Sequence, residues 1–168
     1  MPELFSHIDF INSPIGAICI RASERGITDI FFTDEKHEDK LSKNQFIKKC
    51  KIELNEYFEG KRELFTVPID MYGTKFQKLV WYELLKIPFG DTISYLALAS
   101  RLGNKNKIRA VAKANAQNKI SIIVPCHRVI SSNGDLTGYS GGLWRKKWLI
   151  EHEEKIKYNR KQLTFFES

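Results

Sequence analysis

The sequence contains no Cys-x-x-Cys pair, no apolar run long enough to cross a bilayer, no internal repeat and no low-complexity tract. Each absence removes a class of protein. Cys19, Cys50 and Cys126 are an odd number of thiols at wide spacing, which argues against the disulfide framework of a small secreted domain. A spanning helix needs roughly 20 apolar residues in succession, and no stretch approaches that. Met1-Pro2-Glu3-Leu4-Phe5-Ser6-His7 has no basic segment followed by a long apolar one, so nothing there reads as a signal peptide. A soluble cytoplasmic protein is expected, nucleoid-associated if the source is prokaryotic. Acidic residues are scarce in one part of the chain only. Residues 1–70 hold 10 Lys and Arg against 13 Asp and Glu, whereas residues 71–168 hold 17 against 7, so a net −3 segment precedes a net +10 segment.

That asymmetry suggests two modules, 1–70 and 71–168, with the second turned toward a polyanion. The 168 residues, 42% of them hydrophobic, suffice for one domain or two small ones. Residues 4–11, 15–22 and 26–32 are rich in β-branched and aromatic residues and are separated by turn formers, which predicts a small antiparallel meander. From about 38 to 59, Leu41, Ile47, Cys50, Leu54, Tyr57 and Phe58 fall close to helical spacing, and Gly60 follows as a stop. Residues 61–73 read as a connection. Thr74-Lys75-Phe76-Gln77 fits a capping box at the start of a helix that should present Phe76, Leu79, Val80 and Leu84 to a core and end before Pro88 and Gly90. A segment around Tyr95–Arg101, a turn at Leu102-Gly103-Asn104 and a helix over about 107–117 have helix–turn–helix spacing. A last helix over about 143–154 should carry Trp144, Trp148 and His152 along one side, and the tail 155–168 alternates charge with aromatics. The predicted fold class is α+β: a small N-terminal antiparallel sheet with a helix, then a mostly helical part containing the helix–turn–helix.

The densest chemistry lies in Ile122-Ile123-Val124-Pro125-Cys126-His127-Arg128-Val129-Ile130, an apolar run interrupted by a thiol, an imidazole and a guanidinium. A thiolate is the strongest nucleophile available to a protein at neutral pH, and a neighbouring base or cation raises its fraction. On an extended strand Cys126 and His127 point to opposite faces, so a dyad needs Pro125 to bend the chain or a water to bridge the two. A buried structural cysteine is the plain alternative. Three successive polar residues in a core-like run weigh against it, because each needs a partner when buried.

Pro125-Cys126-His127-Arg128-Val129-Ile130, with Asn118 upstream and Tyr139-Ser140-Gly141-Gly142-Leu143 downstream, resembles the active-site signature of the O6-alkylguanine-DNA alkyltransferases, also called methylated-DNA–protein-cysteine methyltransferases. The likeness extends through Gly73-Thr74-Lys75-Phe76-Gln77, Trp81, Ile87-Pro88-Phe89-Gly90, Ser94-Tyr95, Arg109-Ala110-Val111, Trp148-Leu149 and His152-Glu153. The resemblance implies direct DNA repair in a single turnover: the alkyl group of O6-alkylguanine, or of O4-alkylthymine, passes to Cys126. A water relays the thiol proton to His127, Glu153 orients that imidazole, and Asn118 ties the turn near the thiol. Tyr95 contacts the flipped purine and donates a proton as it leaves. Arg109 is the finger that fills the space of the extruded base, and Lys113 projects outward beside it toward the DNA. Val129, Tyr139, Ser140 and Gly141 wall the substrate pocket. Alkylated double-stranded DNA is the implied partner, bound in its minor groove. No cofactor or metal is expected: some relatives hold zinc in the first domain, but His7, Cys19, His37 and Cys50 match those ligands poorly. A monomer is expected, and cooperative coating of DNA is left open.

The sequence departs from the family at Lys119, commonly Pro, and at Ala112 and Ala116, commonly Gly. Lys119 is expected to add a phosphate contact and alter DNA affinity while the chemistry is retained. Arg128 is too basic to serve as a general base and is expected in an ion pair. Three other readings compete. A non-catalytic lesion-binding protein lacks the reactive cysteine. A helix–turn–helix regulator leaves Pro125-Cys126-His127-Arg128 unexplained. A cysteine hydrolase would turn over repeatedly.

Overall fold

The computed structural model describes residues 6–38 and 41–167. The expected strand start at residue 4, the stretch of expected helix through 39–40 and the last residue of the tail lie outside the described residues. The chain divides into two compact units, one running to Thr74 and including Lys119–Ile123, the other comprising Lys75–Asn118 and the chain from Val124.

In the first unit β1 (His7–Ser13), β2 (Gly16–Ala22) and β3 (Ile27–Thr33) form an antiparallel sheet in the order β1-β2-β3. The β1–β2 register, His7 opposite Ala22 through Ser13 opposite Gly16, is closed by the Ser13 hydroxyl, which donates to the Gly16 carbonyl at 2.6 Å. Helix α1 (Gln45–Phe58) packs on the sheet through Ile47, Cys50, Leu54 and Tyr57, all fully buried at helical spacing. The helix starts later than its apolar spacing suggested. Asn44 caps it, its side-chain oxygen accepting from the amides of Phe46 and Ile47 at 2.9 and 3.0 Å, and Leu41 is left outside the helix and exposed.

Glu53 is the polar anchor of this unit. Its buried carboxylate accepts from the Thr66 amide and hydroxyl and from the Val67 amide, with Arg62 beside it, and so pins the 61–73 connection to α1. The same connection reaches β3, where Ile27 N–H donates to Pro68 C=O at 2.9 Å; a Cβ on Gly26 would lie 2.6 Å from that oxygen, so only glycine permits the approach.

Lys119–Ile123 runs along the outer edge of β3, Ile30 exchanging bonds with Lys119 C=O at 2.8 Å and with Ser121 N–H at 3.0 Å. This covers an otherwise open strand edge. Ile122, fully buried, has φ 72°, a left-handed conformation that costs a β-branched residue about 1–3 kcal/mol. The Lys119 ammonium donates to Tyr72 C=O at 3.2 Å and lies 3.6 Å from the centre of the Tyr72 ring, while the Tyr72 hydroxyl donates to Asp29. Burial lowers the Lys119 pKa. Its charge is engaged by Tyr72.

The second unit is built from α2 (Lys75–Leu84), β4 (Ile93–Ser94), α3 (Tyr95–Arg101), α4 (Ile108–Ala116), β5 (Val129–Ile130) and α5 (Leu143–Glu167). β4 and β5 form a two-residue parallel pair. Ser94 caps α3 through a 3.0 Å bond from Ala97 N–H, and Gly103 with a 3-10 turn at Lys105–Lys107 leads into α4. The helix–turn–helix therefore stands where its spacing placed it. α2 packs on α4 with Trp81 at the centre, its indole N–H donating to Ala114 C=O at 2.9 Å. Val80, Trp81 and Leu84 form the buried stripe, and Leu79, expected inside, is 52% exposed because it falls off that stripe.

Two further expectations are revised. Cys126–Arg128 is a 3-10 turn rather than part of a strand, closed by Arg128 N–H donating to Pro125 C=O at 3.0 Å, and the strand begins only at Val129. α5 does not stop near 154 but continues to Glu167, since no Gly or Pro follows Gly142 to break it. Lys157 fastens the extension by pairing with Asp91.

Glu53→Ala should cost about 3 kcal/mol in urea unfolding, because it strands the buried Val67 amide together with the part-buried Thr66 amide and hydroxyl and removes the partner of Arg62. A loss below about 1 kcal/mol would show that water replaces the carboxylate.

Candidate active site

The turn at Cys126–Arg128 sends the Cys126 side chain one way and those of His127 and Arg128 another, toward α5. Cys126 faces α4 and the residues after it. The thiol is 4% exposed and accepts from the Asn118 side-chain amide at 3.1 Å; the same amide donates to Val124 C=O at 2.8 Å, and the Asn115 amide reaches Cys126 C=O at 3.4 Å. His127 turns toward α5 and is completely buried, with Nε2 2.7 Å from Glu153 Oε1. Arg128 also turns to α5 and forks onto the same carboxylate, Nε to Oε2 at 2.8 Å and Nη2 to Oε1 at 2.9 Å, while Nη1 donates to Ile87 C=O at 2.7 Å. Gly90 N–H adds a bond to Glu153 Oε2 at 3.2 Å. Gly90 has φ 79°, and a Cβ there would press on the Lys157 side chain, so glycine is needed for the loop to reach α5.

These partners set the protonation states. Burial alone would raise the Glu153 pKa, but the imidazole and the guanidinium against it overcome that and hold the carboxyl well below its usual range. Burial depresses the His127 pKa despite Glu153 beside it, so the ring is neutral at neutral pH. A neutral ring that donates Nε2–H to Glu153 keeps a lone pair on Nδ1, and Nδ1 is buried with no hydrogen-bond partner among the described residues. Burial raises the Cys126 pKa, against which the Asn118 amide and the Lys146 charge pull it down, so the resting thiol is protonated, one residue before the neutral imidazole. Burial also pushes Cys19 up to about 11 and raises Cys50, with Glu53 adding to the latter.

On the other side of the turn the Tyr95 hydroxyl donates to Thr137 C=O at 3.0 Å. Lys146, fully buried, donates to the same carbonyl at 2.7 Å and to the Tyr95 oxygen at 3.4 Å. Burial lowers its pKa to about 8, with the Cys126 sulfur opposing. Val129 and Tyr139 are buried beside the turn, Ser140 is exposed, and Gly141 C=O is held by Arg145 at 2.9 Å.

Together these contacts set out a thiol, an imidazole on a fixed tautomer, and a hydroxyl backed by a cation, groups of the kind that displacement at carbon with proton transfer at both ends requires. Matches to known proteins agree. The 6-O-methylguanine DNA methyltransferase DNA-binding domain model matches residues 75–155 and the ribonuclease-like domain model of the same family matches residues 7–71. The methylated-DNA–protein-cysteine methyltransferase of Methanosarcina barkeri is 40% identical over 153 residues, covering 88% of this chain and 97% of that one. This chain belongs to that family. The constitutive enzyme of Bacillus subtilis is 36% identical over 157 residues, 89% of this chain and 95% of its own. The crystal structure of Mycobacterium tuberculosis O6-methylguanine methyltransferase superposes with a TM-score of 0.80 at 40% identity, covering 89% and 93% of the two chains. The structure of the Mycobacterium tuberculosis protein in complex with DNA gives 0.81 at 39% identity, covering 90% and 94%.

Of the residues singled out in the sequence, Cys126, His127, Glu153 and Asn118 are joined by direct bonds, and Tyr95 joins Lys146 and Thr137. Arg109 and Lys113 lie on the exposed face of α4, whose buried face carries Val111, Ala114 and Asn115. Asn115 and Lys146 were missed. Lys146 sits in Arg145-Lys146-Lys147, which reads as a solvated basic run. One signal could have found it: Lys146, Leu149 and Glu153 share a helix face at i, i+3 and i+7, and all three are buried. The side carrying Trp144, Trp148 and His152 is more exposed, with Trp148 stacked on His152.

Stability should fall on acidification in two stages. The unfolded chain protonates His127 as pH drops below about 6.5, whereas the folded state keeps it neutral; the unfolded state then binds more protons and gains. Glu153 acts next, ionised in the fold at pH values where the unfolded carboxyl, near 4.5, takes its proton. Urea midpoints between pH 7 and 5 should show a slope approaching ~1.4 kcal/mol per pH unit from His127, and His127→Gln should flatten it. An unchanged slope in that variant would assign the proton elsewhere.

Proposed function

We propose that this chain repairs DNA directly, moving the alkyl group of an O6-alkylguanine, or of an O4-alkylthymine, onto Cys126 in one irreversible turnover. The observation that carries the reading is the Cys126 thiol fixed by Asn118 beside a neutral His127 whose Nε2 is committed to Glu153. The relative crystallised with DNA supports DNA as the substrate, and the net +10 of residues 71–168 suits a polyanion.

The thiol proton passes to His127 Nδ1, through a water where the two do not touch directly. The sulfur attacks the alkyl carbon in line with the carbon–oxygen bond; that bond breaks, its electron pair stays with the purine, and the Tyr95 hydroxyl protonates the leaving base. Guanine is restored and a thioether remains on the protein. A thioether is a poor substrate for displacement, so each molecule acts once. Glu153 and Arg128 keep the imidazole in the tautomer that leaves Nδ1 free, and Val129, Tyr139, Ser140 and Gly141 line the pocket for the purine.

The lesion must leave the stack to reach a buried sulfur, which costs a few kcal/mol in a duplex. Arg109, exposed near the start of α4, is the residue to occupy the gap, and Lys113 one turn on adds phosphate attraction. The alanines at 110, 112 and 116, away from the buried face, leave little bulk between the helix and the minor groove. The protein is read as a monomer acting on double-stranded DNA in the cytoplasm; among the described residues no helix is long and apolar enough to cross a membrane.

Intact mass after incubation with a duplex bearing one O6-methylguanine tests the proposal. One added methyl in place of hydrogen, mapped to Cys126 and saturating at one equivalent, is expected; Cys126→Ser should bind the duplex and gain nothing. Repeated turnover, or label on another residue, defeats the reading. Arg109→Ala should slow repair of duplex by about tenfold or more, the kinetic equivalent of losing part of the extrusion energy, and leave reaction with free O6-benzylguanine unaltered. Equal losses in both would remove the finger assignment.

A further inference from the structure

Two acceptors beside the Cys126 turn have no donor. Asn115 Oδ1 and His127 Nδ1 are both buried and have no hydrogen-bond partner among the described residues. Buried polar side-chain atoms are as a rule paired, and one that is not calls for a reason. Asn115 is 1% exposed and sits on the face of α4 that otherwise buries Val111 and Ala114. Asparagine is a poorer helix former than alanine or leucine, and a tie to one carbonyl leaves half of its carboxamide unused. That tie also fixes where the other half lies. Asn115 Nδ2 donates to Cys126 C=O at 3.4 Å, the carbonyl of the peptide link to His127. A carbonyl only accepts, so the amide orientation is set and the atom left over is Oδ1. Nδ1 is the ring nitrogen of His127 closer to that same link. The two acceptors therefore flank the peptide that joins the thiol to the imidazole.

We infer that Asn115 is a positioning residue that holds the water through which the Cys126 proton reaches His127. The inference rests on the alkyl-transfer reading and adds the group of α4 that fixes the proton path. One water fits the three groups: it has two hydrogens for the two acceptors, Asn115 Oδ1 and His127 Nδ1, and a lone pair for the thiol S–H. When the sulfur attacks, the S–H bond breaks and its proton joins the water. The hydrogen already lying on Nδ1 passes to the ring, and the water is restored. Sulfur keeps the electron pair that forms the bond to the alkyl carbon, and the positive charge ends on the imidazole against Glu153. Oδ1 holds the water's other hydrogen throughout, so the relay is oriented before the substrate arrives.

Burial raises the thiol and lowers the imidazole, so neither ionises alone at neutral pH and a placed relay is the route between them. The charged groups facing the pair are Glu153 and Lys146 from α5 and Arg128 from the turn itself. The buried faces of α2, with Val80, Trp81 and Leu84, and of α4, with Val111, Ala114 and Asn115, are uncharged. Asn115 is thus the polar side chain that α4 offers to the turn ahead of Asn118, which is engaged by the sulfur and by Val124 C=O.

The test is single-turnover transfer from free O6-benzylguanine at pH 7 and pH 9, read as thioether on Cys126, with wild type, Asn115→Leu and Asn115→Asp. Leucine fills the space without an acceptor and should lose about 100-fold at pH 7, the scale of assisted proton transfer. Thiolate made by hydroxide grows about tenfold per pH unit below the thiol pKa, while wild type works from the neutral pair, so the loss should narrow by about tenfold or more at pH 9. Lys146, with its pKa lowered to about 8, titrates in both proteins and cancels in the ratio. Aspartate restores an acceptor but, once ionised, not the donor to Cys126 C=O, and should stay within about threefold of wild type. A side chain that only held the carbonyl would fail as badly in Asp as in Leu. Thermal unfolding shows which variants fold. A crystal structure of the unalkylated wild type is independent of them and should show an ordered water within hydrogen-bond distance of Asn115 Oδ1 and His127 Nδ1. No water there, a loss equal at the two pH values, or equal losses in Leu and Asp overturns the inference while leaving alkyl transfer intact. Failure of wild type to form any thioether overturns the parent reading instead.

Discussion

The Glu153 carboxylate is the interaction on which the site depends. It is buried and accepts from the His127 ring, twice from Arg128 and once from Gly90 N–H. Removing a carboxylate from water is expensive, and replacing one donor at a time would leave the others stranded. The four bonds therefore stand or fall together, and they tie three separate stretches, the 87–90 loop, the 126–128 turn and α5, into one arrangement. The chemistry inherits its geometry from that tie. A His127 that must donate Nε2–H to Glu153 has only Nδ1 left as a base, and a Cys126 one residue earlier on a 3-10 turn is close by without sharing the same face.

Burial sets the limits within which this site works. It raises the thiol, depresses the imidazole and depresses Lys146, so the thiol and the imidazole rest neutral and the lysine lies near the point of losing its charge. The cost is paid by the ion pair, whose two charges are matched by a fork geometry that satisfies both.

The first unit contributes a different kind of constraint. Lys119–Ile123 covers the edge of β3 and includes Ile122 in a left-handed conformation. A buried β-branched residue remains there only where its surroundings determine its place more strongly than its own backbone preference. Lys119 reinforces the segment through Tyr72, by a cation over the ring and a bond to the carbonyl.

Much of this was legible in the residues themselves. Alternation, capping chemistry and turn formers located the meander, α2, α3 and α4, because those signals are local, and the family resemblance carried by Pro125-Cys126-His127-Arg128, with Asn118 before it, named the candidate set, Glu153 included. Local signals failed where packing competes with propensity. Leu41 and Leu79 look like core and are exposed, the turn at Cys126 looks like strand, and α5 runs on past its expected end because nothing in the tail breaks a helix. Lys146 was hidden for a stronger reason: a lysine between two cations looks like solvent-facing charge, and only the folded arrangement of α3, the Thr137 loop and α5 encloses it. Which atoms titrate, and in which direction, was decided there too, since desolvation depends on what packs around a group and not on the residues beside it in the chain. The sequence by itself singled out the candidate atoms; the tertiary structure decided their protonation and their partners, because both depend on what packs around them.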